Sequence, residues 1–218
     1  ISVRLVVHYG RIWAAESNED ITADSLAEVA SNLTLPGTQG DINSALESIW
    51  YSPPSDWNSH GQDTFETLSV FVDEQELVQG GDPYPGVPRT LIILVVPIND
   101  PPLLQGPTRF TVVEGTTTIL SGIEVLDRDA EDADGGRVEV SVLVSEAGSV
   151  VALGSTFGLH IQDSSDASMT FQGTLKNVNS ALAGLTFRGP FEFSGITELK
   201  VDVDDMGNTG EGGALSVS

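Results

Sequence analysis

The stretch "DINSALESIWY", Asp41 to Tyr51, has a close counterpart in "NVNSALAGLTF", Asn177 to Phe187. The four residues Asn-Ser-Ala-Leu are identical in the two, and they begin at Asn43 and Asn179. In each copy the apolar residues recur at three- and four-residue spacing, which is typical of one face of a helix. The sequence therefore predicts one short helical turn that occurs twice, 136 residues apart.

The likeness continues on both sides of this segment. "LTLPGT" precedes the first copy as "MTFQGT" precedes the second, while "ETLSVFVDE" follows the first as "ELKVDVDD" follows the second. A repeat of this length predicts two copies of one domain, residues 1–100 and 101–218. From the alignment of the copies we expect the N-terminal part of the first domain to be missing and the last strand of the second to be incomplete.

Outside the helical segment the periodicity is that of β-strands. Short runs rich in Val, Ile, Leu and Thr, such as "VRLVVHY", "RTLIILVVPI", "RFTVVEG" and "RVEVSVLVS", are bounded by Gly, Pro, Asn and Asp. Many short strands with a turn signal about every 8 to 12 residues are typical of a sandwich. The predicted fold is all-β, with tandem Greek-key β-sandwiches that each carry one short helical turn.

The charge of the chain narrows the range of partners. There are 32 acidic residues against nine basic ones, a net charge of −23, which repels the phosphates of nucleic acids and anionic lipids. No apolar run approaches the roughly 20 residues that span a bilayer, so we expect no membrane insertion in this segment. Cations are the expected partners, and the absence of cysteine excludes disulfides and thiolate metal sites.

The acidic residues are most concentrated in "VLDRDAEDADGG", Val125 to Gly136. Five carboxylates fall within eight residues, on Asp127, Asp129, Glu131, Asp132 and Asp134. Two explanations are open at this point: a solvated loop between strands, or a cation site that offsets the repulsion among the carboxylates.

The order of three motifs carries a family resemblance. "FTVVEG" places Glu114 on an early strand, "VLDRDAED" supplies Asp-x-Asp some dozen residues later, and "VVPINDPP" stands between the two copies. This order resembles cadherin repeats. The Asn-Ser-Ala-Leu segment and "VDVDDMGNTG" are more similar to the cadherin-like repeats of large bacterial and algal surface adhesins. The resemblance implies cadherin-like or immunoglobulin-like sandwiches.

The resemblance also implies Ca²⁺ where one domain meets the next. Calcium takes six to eight oxygen ligands, which clustered Asp and Asn side chains supply. In a sandwich with the family's strand order, Asp127, Asp129 and Asp205 are expected to converge on Asn99 and Asp100.

Two further positions affect the ligand set that the resemblance implies. Glu114 would serve the next junction downstream. Pro97 stands where cadherin linkers normally carry an acidic residue, which lowers the number of ligands.

The functional prediction is a non-enzymatic segment of a long extracellular cell-surface or matrix protein, a calcium-stiffened spacer or adhesion module whose partners are other protein copies or cell-surface ligands. One alternative is a structural subunit of an extracellular filament or appendage. A second is a carbohydrate-binding module that uses Trp13, Trp57 and Tyr9 as a platform for glycans. The scattered His8, His60 and His160 give no catalytic or metal-binding spacing.

Modification is a separate question. "SNLT" makes Asn32 a glycosylation sequon if the chain passes through a eukaryotic secretory pathway.

Overall fold

The computed structural model of the chain describes residues 1–14, 31–59, 65–73, 87–132, 135–208 and 210–218. The fold is mostly β, with several antiparallel sheets and few helices. It divides into two compact units, Ile1–Pro97 and Ile98–Ser218. The boundary predicted after Asp100 lies three residues further along the chain. None of the described helices is long and apolar enough to cross a membrane.

The described part of the first unit contains six strands and one helix. In chain order they are β1 (Ser2–Val7), β2 (Arg11–Ala14), β3 (Asn32–Pro36), α1 (Gln39–Leu46), β4 (Ile49–Ser52), β5 (Glu66–Asp73) and β6 (Arg89–Ile93). One antiparallel sheet has the order β3-β1-β5-β6, and β2 pairs with β4 in a separate ribbon.

The second unit has ten strands and two helices in its described residues. They are β7 (Leu103–Gln105), β8 (Thr118–Ile119), β9 (Glu124–Leu126), α2 (Arg128–Asp132), β10 (Arg137–Val144), β11 (Val150–Ala152), β12 (His160–Ser164), β13 (Ser168–Thr174), α3 (Leu175–Leu182), β14 (Thr186–Arg188), β15 (Leu199–Asp204) and β16 (Ser216–Val217). The largest sheet has the order β12-β13-β10-β15-β16. A second sheet has the order β11-β14-β8, and β7 pairs with β9.

The two predicted helical segments are confirmed as α1 and α3. Each begins after a threonine, Thr38 or Thr174, whose hydroxyl accepts a hydrogen bond from a backbone N–H of the first helical turn. Such a cap satisfies a donor that would otherwise lack a partner, and contributes about 1 kcal/mol to helix stability. The Thr that precedes each repeated segment therefore fixes where the helix starts.

The strand prediction is confirmed for "VRLVVHY", "RVEVSVLVS" and the paired segments at β5 and β15. It is wrong for "RFTVVEG", where no strand forms between Gln105 and Thr118. Here the backbone turns instead: the N–H of Thr116 donates to the carbonyl of Val113 at 3.1 Å, and Gly115 has φ +71°. Glu114 therefore lies exposed in a turn and not on a strand.

The central strands of the two larger sheets have matching partners. In the first unit, Val3 on β1 faces Leu35 on β3 and Val72 on β5. In the second unit, Val140 on β10 faces Phe171 on β13 and Val203 on β15. The residues that the repeat aligns thus occupy the same register in each sheet.

The two cores differ in how completely they are buried. The second unit buries a cluster that includes Leu120, Val125, Phe171 and Leu182. The first unit fully buries only Val3, Leu5, Val7, Ile12 and Ile42 among its described apolar residues, with others packed against them and half-buried. Since each fully buried side chain of this size contributes about 2 kcal/mol, the described part of the first unit has much less hydrophobic stabilisation.

Candidate metal centre

The acidic run after β9 forms a capped helical turn. The side chain of Asp127 accepts a hydrogen bond from the N–H of Ala130 through Oδ1 at 2.8 Å, and its carbonyl accepts from Glu131 at 3.2 Å. Asp127 is 5% exposed and Asp129 is 7% exposed. The interpretation of the whole run as a solvated loop is therefore wrong for these two carboxylates, while Asp134 lies outside the described residues.

A third buried carboxylate follows β15. Asp205 is fully buried, and its Oδ1 accepts from the N–H of Gly207 at 2.8 Å and of Leu215 at 2.7 Å. Asn208 secures the same loop, because its side chain donates to the Asp205 carbonyl at 2.5 Å and pairs with both backbone groups of Arg137 at 2.8 Å. These bonds explain how the sequence "VDVDDMGNTG" holds one carboxylate inside the protein.

The segment that opens the second unit lies against both of these sites. Asn99 donates through Nδ2 to Asp205 Oδ2 at 2.6 Å and to the carbonyl of Gly213 at 2.9 Å. The N–H of Asp100 donates to Asp129 Oδ2 at 2.7 Å. The backbone of Asn99 also donates to the Glu211 carbonyl at 2.9 Å. The segment is thereby anchored to α2 and to the loop after β15.

A glycine makes this anchoring possible. Gly210 has φ +116°, a conformation that residues with a side chain rarely adopt. A Cβ atom at this position would lie 2.6 Å from the backbone of Ile98 and Asn99. The close approach of the two segments therefore requires glycine.

Two buried oxygens in this cluster have no hydrogen-bond partner: Asn99 Oδ1 and Asp127 Oδ2. A buried polar atom without a partner costs about 1 to 3 kcal/mol, so native structures rarely leave one. Burial raises the pKa of the Asp127 carboxyl, and the charges of Asp205 and Asp129 raise it further, against the hydrogen bond from Ala130. The cluster thus combines unpartnered oxygens with repulsion between carboxylates.

These residues fit a hard cation in their chemistry. The unpartnered oxygens of Asn99 and Asp127 and the carboxylates of Asp129 and Asp205 are the donors that calcium prefers. As it stands, no group of three or more His, Cys, Asp or Glu side chains among the described residues has the arrangement of a formed metal site. The ligand assignment therefore stays a prediction.

The other predicted positions lie elsewhere. Glu114 is exposed and makes no hydrogen bond with the cluster in the described part of the chain. Asn32 is exposed at the start of the edge strand β3, and its glycosylation stays a prediction. The side chain of Asp100 is exposed, while its backbone joins the cluster through Asp129.

The structure also shows where the aromatic residues of the predicted glycan platform lie. Tyr9 stacks on Trp57 with 4.8 Å between ring centroids, and Tyr9 is 37% exposed. Trp13 is half-buried on β2, opposite Trp50 on β4. His8 packs edge-on against Tyr9, whereas His60 is outside the described residues.

Sequence reasoning missed a buried carboxylate in the first unit. Glu66 is fully buried and accepts hydrogen bonds from the backbone of His8, Tyr9 and Gly10 and from the hydroxyl of Tyr51, at 2.7 to 3.3 Å. A signal was available, since Glu66 opens a strand whose other residues are mostly apolar.

No protein-family model, curated protein or solved structure matches this chain.

Proposed function

We propose that the chain is a non-enzymatic segment of a long extracellular cell-surface or matrix protein, in which tandem cadherin-like sandwiches act as a calcium-stiffened spacer or adhesion module. Its partners would be other protein copies or cell-surface ligands. The proposal has two parts, a repeated domain and a calcium site, and each is supported by different residues.

The common strand order supports the repeated domain. β3-β1-β5-β6 in the first unit corresponds to β13-β10-β15-β16 in the second. Along the chain, α1 lies between β3 and β5 and α3 lies between the corresponding strands β13 and β15, each after a capping threonine. Glu66 and Thr197 provide a further parallel, because each anchors the turn after the central strand: Glu66 accepts from His8 and Tyr9, and Thr197 Oγ1 accepts from the N–H of Glu146 at 3.2 Å.

The calcium site is carried by one observation: Asn99 Oδ1 and Asp127 Oδ2 are buried without partners beside two further buried carboxylates. A bound Ca²⁺ would satisfy both oxygens and cancel the repulsion that raises the pKa of Asp127. Asp129 and Asp205 would complete the protein ligands, with water or backbone carbonyls supplying the remainder.

Calcium at this place would have a mechanical consequence. Asn99 and Asp100 follow Pro97 and Ile98, and they are held to α2 and to the loop after β15 by hydrogen bonds. An ion shared by Asn99 and the carboxylates would strengthen this attachment and restrict the peptide that leads into the second unit. The prolines on either side, Pro97 and Pro101, already limit its backbone freedom.

The experiment uses the distribution of tryptophan. All three tryptophans, Trp13, Trp50 and Trp57, lie in the first unit, so their fluorescence reports the unfolding of that unit. Far-UV circular dichroism reports both units. After removal of metal with a chelator, 1 mM CaCl₂ is expected to raise the unfolding temperature of the dichroism transition while the fluorescence transition moves little.

The matched variants are Asp127→Asn and Glu124→Gln. Each removes one negative charge, but Glu124 is an exposed residue of β9. Glu124→Gln should keep the response to calcium and Asp127→Asn should lose it. Equal calcium responses in the two variants would contradict the assigned ligands, and no response in the unchanged chain would contradict the calcium site itself.

A further inference from the structure

In the second unit, Asn179 of the repeated segment hydrogen-bonds to the backbone of a neighbouring strand. On α3, Asn179 accepts from the N–H of Val125 through Oδ1 and donates to the carbonyl of Val125 through Nδ2, both at 2.8 Å. Two bonds to one residue's backbone are what a neighbouring β-strand would otherwise make. Asn179 therefore clamps the strand β9 onto the helix without regard to the side chains of that strand.

Apolar contacts and the edge of a strand also hold β8 and β9 against this part of the second unit. Val125 on β9 and Leu182 on α3 are both fully buried. The preceding strand β8 adds to the edge of β14, with Ile119 facing Thr186. Helix α3 and strand β14 thus form a surface that accepts the segment Thr118–Leu126, which consists of β8 and β9 joined by a turn at Ser121 and Gly122.

Within residues 1–14, 31–59, 65–73 and 87–97, the first unit presents the same surface without such a segment. Asn43 has the place of Asn179 on α1, but its side chain is exposed and makes no hydrogen bond within the described residues. Leu46, which aligns with the fully buried Leu182, is 37% exposed, and Trp50, which aligns with Thr186, is 53% exposed. In the described part of the chain, β4 has a partner on one edge only, which is β2.

We propose that α1 and β4 form a strand-acceptor surface, whose occupant is a segment of a different, partner polypeptide with the sequence type of Thr118–Leu126, two short strands joined by a turn. The inference rests on the repeated domain in the proposed function. Asn43 clamps the backbone of the occupant, and Leu46 packs against its apolar side chains.

The second unit identifies the chemistry of the occupant. Its seated segment buries Leu120, Ile123 and Val125 and leaves Glu124 exposed. Backbone hydrogen bonds would give such a strand affinity, while the spacing of its apolar side chains would give it specificity. The copy at Thr118–Leu126 is already held in the second unit, so it is not free to fill the first.

The test is binding of a labelled peptide with the sequence of residues 117–126, "TTILSGIEVL", to the chain 1–218, followed by fluorescence anisotropy in chelator. We expect saturable binding that Asn43→Ala weakens by about tenfold or more, because two hydrogen bonds are lost. Asn43→Asp keeps an acceptor but loses the donor, so the affinity of this variant for the peptide should lie between that of the unchanged chain and that of Asn43→Ala. A peptide with Asp in place of Ile123 and Val125 should not bind.

Hydrogen exchange gives the location. Bound peptide should slow amide exchange in residues 43–52 and leave residues 179–188 unchanged. Absence of binding at millimolar peptide, or binding unaffected by Asn43→Ala, would overturn the proposal. Concentration-dependent dimerisation of the chain in sedimentation experiments, abolished by Asn43→Ala, would assign the surface to a second copy and overturn the occupant named here. Peptide binding requires neither calcium nor Asp127. A negative peptide-binding result and a negative calcium-binding result can therefore be distinguished.

Discussion

Asn99 and Asp205, 106 residues apart in the sequence, are joined by a hydrogen bond of 2.6 Å from Nδ2 to Oδ2. The same amide nitrogen donates to the carbonyl of Gly213 at 2.9 Å. With both donors in use, Oδ1 of Asn99 stays in the buried cluster with no partner. The orientation of this one amide group therefore leaves an oxygen available for a cation.

The first prediction concerns Asp127 and pH. Its pKa in the folded protein is raised by burial and by the charges of Asp205 and Asp129. A raised pKa means that the folded state favours the protonated carboxyl. In the absence of calcium, the free energy of unfolding should therefore fall as the pH rises from about 4 through the raised pKa of Asp127. Asp127→Asn, which keeps the acceptor for Ala130, should therefore stabilise the calcium-free protein at pH 7 by about 1 kcal/mol.

Urea unfolding followed by dichroism at several pH values checks this expectation. The difference in unfolding free energy between Asp127→Asn and the unchanged chain should grow from pH 4 to pH 7. Addition of calcium should reverse its sign, because only the unchanged chain gains a ligand-bound state. A difference that is constant with pH would rule out the repulsion described.

The second prediction concerns Gly210. Substitution with alanine would place Cβ against the backbone of Ile98 and Asn99 in a conformation with φ +116°. We expect Gly210→Ala to destabilise the second unit by about 2 kcal/mol and to weaken calcium binding, because Asn99 must shift. Gly115→Ala is the control: φ there is +71°, no atom lies within 4 Å of the added Cβ, and Gly115 makes no contact with Asn99 among the described residues. The two variants should differ in calcium affinity, and equal losses would argue against a role for Asn99.

The third prediction concerns Glu66, which holds the turn after β1. Burial alone would raise its pKa, but the hydrogen bonds from Gly10, His8, Tyr51 and Thr67 lower the pKa below its usual value. Its stabilising contribution is thus present above about pH 4.3 and is lost as the pH falls through the lowered pKa. Glu66→Gln should destabilise the first unit by about 2 to 4 kcal/mol, because it replaces an acceptor oxygen with a donor.

Tryptophan fluorescence during urea unfolding measures this change, with the exposed Glu47→Gln as control. The effect of Glu66→Gln should shrink towards pH 3, where the carboxylate of the unchanged chain becomes protonated. A loss below 1 kcal/mol at pH 7 would show that the turn does not depend on the buried carboxylate.

The fourth prediction compares the two repeated asparagines. Asn179→Ala removes both bonds to Val125 and should destabilise the second unit by about 2 kcal/mol. Asn43→Ala, in the same position on α1, should change the stability of the first unit by less than about 0.5 kcal/mol, because Asn43 is exposed. Dichroism and tryptophan fluorescence measure the two effects. Similar losses in both variants would mean that Asn43 already has a structural partner.

The sequence predicted the parts of the fold that depend on local periodicity. The Asn-Ser-Ala-Leu helices follow from helical spacing and a capping threonine, and β1, β10 and β15 follow from alternation. "RFTVVEG" is also rich in β-branched and aromatic residues, but a strand requires a partner in register, and residues 106–117 have none among the described strands. Pairing of this kind depends on distant parts of the chain, which periodicity does not contain.

The candidate site was predictable in composition and less so in detail. The family resemblance implied that Asp127, Asp129 and Asp205 would converge on Asn99 and Asp100. In the structure, hydrogen bonds join Asn99 to Asp205 and the backbone of Asp100 to Asp129, and the charges of Asp205 and Asp129 raise the pKa of Asp127. The helix α2 was not predicted, because a run of carboxylates is more typical of a solvated loop. The signal that was missed is the capping role of Asp127, whose side chain accepts from the N–H of Ala130. Glu114 was assigned from a motif whose strand does not form.

The most direct test of the central claim is calorimetric titration of CaCl₂ into the metal-free chain, with Asp127→Asn and Glu124→Gln titrated in parallel. The account predicts saturable heat in the unchanged chain and in Glu124→Gln, and its loss in Asp127→Asn. Absence of heat in the unchanged chain up to millimolar calcium would contradict the account, and so would identical isotherms for all three proteins.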